Sequence, residues 1–305
     1  MRIWKNLSKD KLGSISLIVI VVTIIVGLFA PFIAPHDPVE VNMKLRYATP
    51  SWEYLLGNDH LGRCILSRLI YGIRPSVLWV LVALVISVLI GAILGFMAGY
   101  FRGNVDAFIM RICDVMLSFP VYVMTLAIVG ILGVGLENIL LAFILMKWAW
   151  FARVIRASVM QYAELEYVKF SKASGISDIK IIYKHIVPVT FSDIAVISSS
   201  SIGSMILQIS GLSFLGLGIQ APNAEWGMML NEARKVMFTR PELMLAPGIA
   251  IIIVVSAFNF LSDALQVALD PKLLTSKNKL QENLTISKRK LTISKRKLQE
   301  KEVAN

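Results

Sequence analysis

Six apolar segments, each long enough to cross a bilayer, place the strongest limit on the fold of this chain. A transmembrane helix needs about 20 predominantly apolar residues. Of the 305 residues 56% are hydrophobic and only 17% are charged, whereas soluble domains carry roughly 25% charged residues. The sequence therefore predicts an all-α membrane protein with six transmembrane helices. The predicted spans lie at about 15–34, 77–98, 113–134, 138–156, 192–217 and 245–267.

The basic residues between the spans predict how the chain is oriented. Cytoplasmic loops of membrane proteins carry an excess of lysine and arginine. With the N-terminus inside, the inner pieces 1–14, 99–112, 152–190 and 270–305 hold 22 of the 31 basic residues, and the outer pieces hold eight. We therefore expect a multi-pass protein with both termini in the cytosol. Basic cytoplasmic loops and a basic tail near anionic membrane lipid account for the net charge of +11. We therefore expect no nucleic-acid partner.

The spans divide the chain into predicted regions. Residues 1–14 form a cytosolic N-terminus, and residues 15–34 form a first transmembrane helix whose apolar run is too long for a signal peptide. Residues 35–76 form an external amphipathic segment, and residues 77–268 form a core of five helices. Residues 269–305 form a basic cytosolic tail with a tandem LTISKRK repeat, which is too short for a coiled coil and is expected to be disordered.

Part of the external segment has the pattern of an amphipathic helix. Its apolar residues recur at every fourth position, which is one face of a helix. The pattern predicts a helix at the membrane interface that leads into the second span. The apolar stripe comprises Leu61, Ile65, Leu69 and Ile73, and the polar residues off this stripe are Arg63, Ser67, Arg68 and Arg74.

The polar stretch at 152–190 separates the fourth and fifth spans and is expected to face the cytosol. Gly175 can end one helix, Ser177 or Asp178 can cap the next, and Pro188 can stop or bend it. The pattern predicts two short helices at an angle, a shape that fits a groove on a partner protein.

The sequence contains no recognisable catalytic constellation. Its two cysteines and three histidines are isolated from one another, and the phosphate-binding, nucleophile-elbow and zinc-protease motifs are absent. We therefore expect no catalytic residue, no metal site and no cofactor held by this chain.

Five stretches of the sequence carry a family resemblance, and they are LGNDHLGRCILSRLIYGIRPS, GYFRGNVDAFIMRICDVMLSFP, EYVKFSKASGISDIKIIYKHIVP, SGLSFLGLGIQAPNAEWGMML and FNFLSDALQVALDP. In this order, they resemble the integral-membrane permeases of ATP-binding-cassette importers in the dipeptide, oligopeptide and nickel family. The resemblance covers about residues 10–273 and is closest to the second, C-type, permease. It implies a type I importer permease architecture in a bacterial inner membrane. It also implies a paralogous permease, two cytosolic ATPases that bind ATP and Mg²⁺, and an external solute-binding protein.

The third stretch resembles the motif with which these permeases dock their ATPases. Gly175 and Pro188 have the spacing of that motif, whereas Lys169-Phe170-Ser171 stands where the family has Glu-Ala-Ala. We expect apolar residues here, including Val168 and Ile176, to enter a groove on the ATPase and lysines to meet its acidic rim. The residues assigned to coupling are Glu166, Tyr167, Lys169, Phe170, Ser171, Gly175, Asp178 and Pro188.

A finer resemblance concerns the cargo. The stretches KWAWFARVIRASV and LGLGIQAPNAEWGMMLNEARKVMFTRPELM are similar to nickel-type permeases, which import divalent metals, often as chelates. Import of di- or oligopeptides by the same kind of complex is the alternative. A gradient-driven secondary transporter is a distant alternative, since such transporters commonly show inverted repeats and buried carboxylates.

The candidate translocation path rests on the fifth span and on one intramembrane charge. Small and polar residues in the fifth span permit either close helix packing or a wet passage. Lys147 lies inside a span, where a charge marks a functional site unless it is paired or snorkels. The APNAEWG stretch is a candidate external gate or docking surface. The candidate path and gate residues are Lys147, Ser200, Ser204, Gln208, Gly216, Glu225 and Trp226.

Overall fold

The computed structural model describes residues 10–269, so residues 1–9 and the repeat-containing tail from residue 270 lie outside the described part. Regular structure in the described part is helical, apart from one isolated β-bridge between Asn58 and Cys64. Five helical runs are long and apolar enough to cross a membrane. They are α1 (Lys11–Leu28), the run Ile65–Phe101 with α3 (Ile65–Ile73) and α4 (Trp79–Phe101), α7 (Leu136–Ala163), the run Asp178–Phe214 with α9 (Asp178–Ile181) and α10 (Val187–Phe214), and α12 (Glu242–Leu269).

Shorter helices connect these runs. They are α2 (Ala30–Ile33), α5 (Gly103–Leu117), α6 (Val121–Leu132), α8 (Glu166–Ala173) and α11 (Trp226–Arg234). A 3₁₀ turn at Met43–Leu45 lies in the predicted external segment.

The predicted third span is a bent pair rather than one straight helix. Helices α5 and α6 meet at 80° across a break at residues 118–120, and together they count as a sixth candidate span. Pro120 explains the break, because proline has no backbone N–H and disfavours helical geometry in the residue before it. The prediction of an unbroken helix over 113–134 was therefore wrong, although the apolar length was read correctly.

The second helix of the coupling motif is not short, which corrects a second prediction. Pro188 lies inside the helical run that continues to Phe214, directly after a π-helical turn at Ile182–Ile186. A proline ring crowds the carbonyl four residues earlier, and the wider π turn gives that carbonyl room. A second π turn, Arg74–Leu78, contains Pro75 and joins α3 to α4.

Helices α4 and α7 form the most closely packed pair of the bundle. Gly91, Gly95 and Gly99 lie one turn apart on α4, and an added Cβ at each would come within 2.9 Å of α7 atoms. At Gly95, for example, it would lie 2.8 Å from the carbonyl oxygen of Ala152. These glycines allow the close backbone approach typical of membrane helices.

The predicted interfacial helix is instead built into the interior. Helix α3 covers only Ile65–Ile73 and continues into α4 through the π turn. Arg63, Ser67 and Arg68, expected to lie away from the apolar stripe, are almost completely buried. Helices α1, α10 and α12 pack beside this region. The amphipathic pattern predicted the position of Arg63 and Arg68 incorrectly, because both arginines pair with buried carboxylates, as described below.

Candidate functional site

The coupling segment, residues 164–188, begins with α8 and a tight turn. Helix α8 ends at Ala173, and Gly175 has a left-handed backbone with φ of 77°. The N–H of Ile176 donates to the carbonyl of Ser171 at 3.2 Å, which satisfies one of the last carbonyls of the helix. The prediction that glycine ends this helix is confirmed. Ser177 occupies the cap position of α9, but its side chain makes no capping hydrogen bond.

One face of the coupling segment packs against the helix bundle. Val168, Ser171 and Ile181 are buried, so Val168 cannot enter a groove on a partner as the sequence had predicted. Val168 and Ser171 lie three residues apart and therefore share one face of α8. The side chain of Ser171 donates to the carbonyl of Tyr167 at 2.8 Å.

Polar contacts join the coupling segment to the end of α4. The Tyr100 hydroxyl donates to Asp178 Oδ1 at 2.6 Å, and the Lys172 ammonium lies 5.6 Å from the centre of the Tyr100 ring. Arg102 pairs with Glu164 at 2.7 Å, and Lys169 pairs with the same carboxylate at 3.0 Å. Hydrogen bonds from Lys169 and Arg102 lower the pKa of Glu164. These contacts connect the coupling segment to the end of a membrane-spanning helix.

The opposite face of the coupling segment is apolar, basic and exposed. Phe170, Ile179 and Tyr183 are 73%, 78% and 75% exposed. Ile179 and Tyr183 were missed in the sequence, although their spacing of four residues could have revealed a shared helical face. Other residues predicted for coupling are also accessible or half-buried, and they are Glu166, Tyr167, Gly175, Asp178 and Pro188. The exposed lysines of the coupling segment are Lys169, Lys172, Lys180 and Lys184.

Three of the candidate path residues meet at one cavity. Lys147 of α7 and Ser200 and Ser204 of α10 line a cavity of about 250 Å³. The cavity lies beside the break between α5 and α6, and its other lining residues are Leu117, Val121, Met146, Trp150 and Ser201. The remaining candidates lie elsewhere. Gln208 is half-buried on α10, and Gly216 follows the end of that helix with φ of 90°.

Glu225 and Trp226, the candidate gate residues, are buried at the start of α11. The Glu225 carboxylate accepts the backbone N–H groups of Gly227 and Met228 at 2.9 and 2.8 Å and the hydroxyl of Ser76 at 3.1 Å. Burial raises the pKa of Glu225. The indole of Trp226 donates to the carbonyl of Leu69 at 3.0 Å. Together these bonds hold α11 against the start of the second span.

A buried four-charge cluster (Asp59, Arg63, Arg68 and Glu232) reinforces the same junction. Arg63 donates to Asp59 at 2.7 Å and to both Glu232 oxygens at 2.9 and 3.0 Å. Arg68 contacts Glu232 at 2.8 Å and Asp59 at 3.2 Å. Sequence analysis missed the cluster, because Glu232 is 169 residues from Arg63.

The only side-chain group among residues 10–269 with metal-ligand spacing lies in this cluster. The ligand atoms of Asp59, His60 and Glu232 lie within 4.8 Å of one another. Both carboxylates already accept hydrogen bonds from Arg63 or Arg68, so a cation would have to displace guanidinium groups. The donor set therefore fits an internal ion pair better than a metal site.

Two family models match the chain. The model described as "Binding-protein-dependent transport system inner membrane component" matches residues 91–275. The model described as "N-terminal TM domain of oligopeptide transport permease C" matches residues 1–50.

Named relatives cover most of the chain. The metal-staphylopine import system permease protein CntC of Staphylococcus aureus is 62% identical over 281 residues, which are 92% of this chain and 97% of the relative. The nickel transport system permease protein NikC of Escherichia coli is 38% identical over 261 residues, 86% and 94% of the two chains. The dipeptide transport system permease protein DppC of Alkalihalophilus pseudofirmus is 38% identical over 270 residues, 88% and 89% of the two chains.

Proposed function

The chain belongs to the family of binding-protein-dependent transport system inner membrane components, and from that premise we propose that it is the C-type permease of an importer for chelated divalent metal. Permeases of this family are membrane components of importers and not themselves enzymes. The further assignments concern how this permease is driven and what passes through it.

The exposed face of the coupling segment is the observation that carries the proposal. Phe170, Ile179 and Tyr183 form an apolar surface with lysines around it, and the opposite face is joined to α4. An amphipathic helix with apolar anchors fits a groove in a partner. We assign that groove to a cytosolic ATPase subunit, which binds ATP and Mg²⁺ and hydrolyses the nucleotide.

The assembly has two membrane halves. A second, paralogous permease completes the translocation path, two ATPase subunits bind on the cytosolic side, and an external solute-binding protein delivers the cargo. Both termini and the coupling segment lie in the cytosol, consistent with the excess of basic residues in those pieces. The complex lies in a bacterial cell membrane.

The metal-chelate cargo is supported by the relatives. The relative at 62% identity is named for metal-staphylopine import, and a nickel permease and a dipeptide permease each share 38% identity. The larger identity favours a chelated metal over a peptide. Peptide import by the same architecture is the second candidate.

Uptake measurements distinguish these cargoes. Cells with and without the gene receive radiolabelled nickel alone, radiolabelled nickel bound to nicotianamine, or a labelled dipeptide. Gene-dependent uptake of the nickel–nicotianamine complex, without dipeptide uptake, is expected. Gene-dependent dipeptide uptake alone would establish the second candidate, and absence of gene-dependent nickel uptake in either form would overturn the metal assignment.

A further inference from the structure

We propose that the cavity around Lys147 binds a carboxylate of an anionic metal chelate on its way through the membrane. This inference rests on the proposed function and adds to it a binding site and the charge of the transported species. It starts from the depth of Lys147. Lys147 lies about 16 Å along α7 from Leu136, at 1.5 Å per residue, and the hydrocarbon core of a bilayer is about 30 Å thick.

A lysine at this depth in the membrane is energetically costly unless its charge is paired or solvated. Its stem is too short to bring the ammonium from mid-membrane to either headgroup layer, so snorkelling does not resolve its cost. Among residues 10–269 no carboxylate forms an ion pair with it. The two acids of α5 that face α7, Asp114 and Asp106, are paired with Arg153 and Arg156. Lys147 therefore presents a positive charge to the cavity.

A helix terminus adds to that positive potential. Helix α6 has 12 residues and begins at Val121, which lines the cavity. The residue before it is Pro120, and no side chain caps the first turn. The N-terminal end of a helix carries partial positive charge and unsatisfied N–H groups, which favour anions. Discontinuous helices serve this purpose in other membrane transporters.

Hydroxyl groups on the facing helix complete the donor set. Ser200, Ser201 and Ser204 line the wall formed by α10. The hydroxyls of Ser201 and Ser204 donate to carbonyls of their own helix at 2.7 and 2.9 Å, bonds that they would exchange for a ligand. The Ser200 hydroxyl is bonded to the carbonyl of Ile197 at 3.3 Å, a long contact that it can exchange for a ligand. An ammonium and hydroxyl donors together suit a carboxylate, since charge-assisted hydrogen bonds to an ionised acceptor are the strong ones.

The volume of the cavity and the positive charge of Lys147 determine which ligand the cavity can bind. A volume of about 250 Å³ is below the roughly 300–1,000 Å³ of complete small-molecule sites. The cavity therefore fits one carboxylate arm of a chelate, and the second permease supplies the rest. The same positive charge repels a bare divalent cation. Because Lys147 attracts a carboxylate and repels a bare divalent cation, we expect the permease to select an anionic metal complex over the free metal ion.

The test uses the complete importer in cells that lack the chromosomal gene and carry wild-type or variant copies. Radiolabelled nickel is supplied as its anionic nicotianamine complex, as its neutral bis-histidine complex and as the free ion. We expect Lys147→Met to reduce uptake of the anionic complex at least tenfold and to reduce uptake of the neutral complex less. Lys147→Arg should restore most of the uptake. Leu145→Met is the matched control, because Leu145 is exposed on the same span and does not line the cavity.

Assembly is checked separately by co-purification of each variant with the ATPase subunits. If Lys147→Met does not assemble, the double variant Ser200→Ala and Ser204→Ala takes its place, with an expected rise of about threefold in the half-saturating concentration of the anionic complex. Equal uptake of the anionic complex by the assembled variant and the wild type would overturn the site. Loss of equal size for the anionic and neutral complexes would also overturn it. Failure of the wild type to take up nickel in any form would instead overturn the proposed function.

Discussion

The two ends of α4 are held in opposite ways. At its start, the buried four-charge cluster and Glu225 fix α11 and the preceding loop against the second span. At its end, about 35 Å away along a 23-residue helix, Glu164, Arg102 and Lys169 form ion pairs whose side chains are 41–53% exposed. The same kind of charge pair is thus buried at one end and in water at the other.

This difference separates an anchor from a moving part. A buried ion pair cannot exchange partners without leaving a charge uncompensated in the interior. An exposed pair contributes little and can be exchanged for contacts with another subunit. We infer that the Ser76 end of α4 is the rigid end and that the Tyr100 end is where a docked ATPase shifts the helix.

The largest effect is expected from breaking the buried cluster. Arg63→Met leaves Glu232 and Asp59 short of a partner and should lower the free energy of unfolding by about 3–5 kcal/mol. Thermal unfolding of the purified permease complex measures this change. Arg240→Met is the matched control, since Arg240 is an exposed arginine with a 3.5 Å contact to Glu242, and its expected effect is below about 1 kcal/mol.

A double variant sharpens the same prediction. Adding Glu232→Met to Arg63→Met leaves Arg68 and Asp59 as a matched pair, so much of the lost stability should return. If the losses in unfolding free energy from the two single substitutions simply add in the double variant, the four charges of the cluster are not energetically coupled. An Arg63→Met complex as stable as the Arg240→Met control would show that this end of α4 is not an anchor.

A smaller effect, confined to transport, is expected at the exposed end. Phe170→Asp places a carboxylate on the apolar docking face and should reduce uptake of nickel–nicotianamine about tenfold. Because Phe170 is 73% exposed, the free energy of unfolding should change by less than about 0.5 kcal/mol. Phe170→Leu is the conservative control and should retain most of the uptake. Wild-type uptake with Phe170→Asp would remove this face from the docking site.

The sequence predicts spans well because their signal is local. Apolar length located the five long helical runs and the bent pair formed by α5 and α6, and Gly175 marked the end of α8. Predictions from short sequence patterns failed where a proline and its neighbouring residues favour different backbone structures. Pro188 was expected to stop or bend a helix, and it does not stop it: the helical run continues to Phe214, and the π turn before Pro188 absorbs the steric conflict. The break at Pro120 was hidden because the apolar run continues through it.

The candidate site divides in the same way. The coupling segment was assigned from its resemblance to a family motif that lies in one short stretch with Gly175 and Pro188, and its role stays a prediction. The burial of Arg63 and Arg68 was not readable, because their partner Glu232 is distant in sequence. Lys147 and the serines of α10 were identified singly, and only the packing of α7 beside α10 brings them to one cavity.

The smallest expected effect is a pH dependence of opposite sign at the two ends. Burial raises the pKa of Glu225 above the ordinary value of about 4.3. Its protonation stabilises the fold, so its contribution is complete below about pH 4.3 and is lost as pH rises through the folded-state pKa. Hydrogen bonds from Lys169 and Arg102 lower the pKa of Glu164. Its contribution is therefore present above about pH 4.3 and is lost as pH falls through its folded-state pKa.

Two conservative variants turn this into a measurement. Between pH 4 and 8, the melting temperature of Glu225→Gln should rise relative to wild type as the pH rises, apart from a constant offset from the weakened backbone hydrogen bonds. Between pH 2 and 5, the melting temperature of Glu164→Gln should fall relative to wild type as the pH rises, because the lowered pKa of Glu164 places its titration below about pH 4.3. Added salt should weaken this effect because the carboxylate is exposed. Slopes of the same sign for both variants would mean that burial does not distinguish the two ends of α4. The expected result is that the melting temperatures of the two variants, relative to wild type, change with pH in opposite directions, and that only the change for Glu164→Gln depends on salt. This result would show that the charged group at the Ser76 end of α4 is fixed and that the charged group at the Tyr100 end can exchange partners.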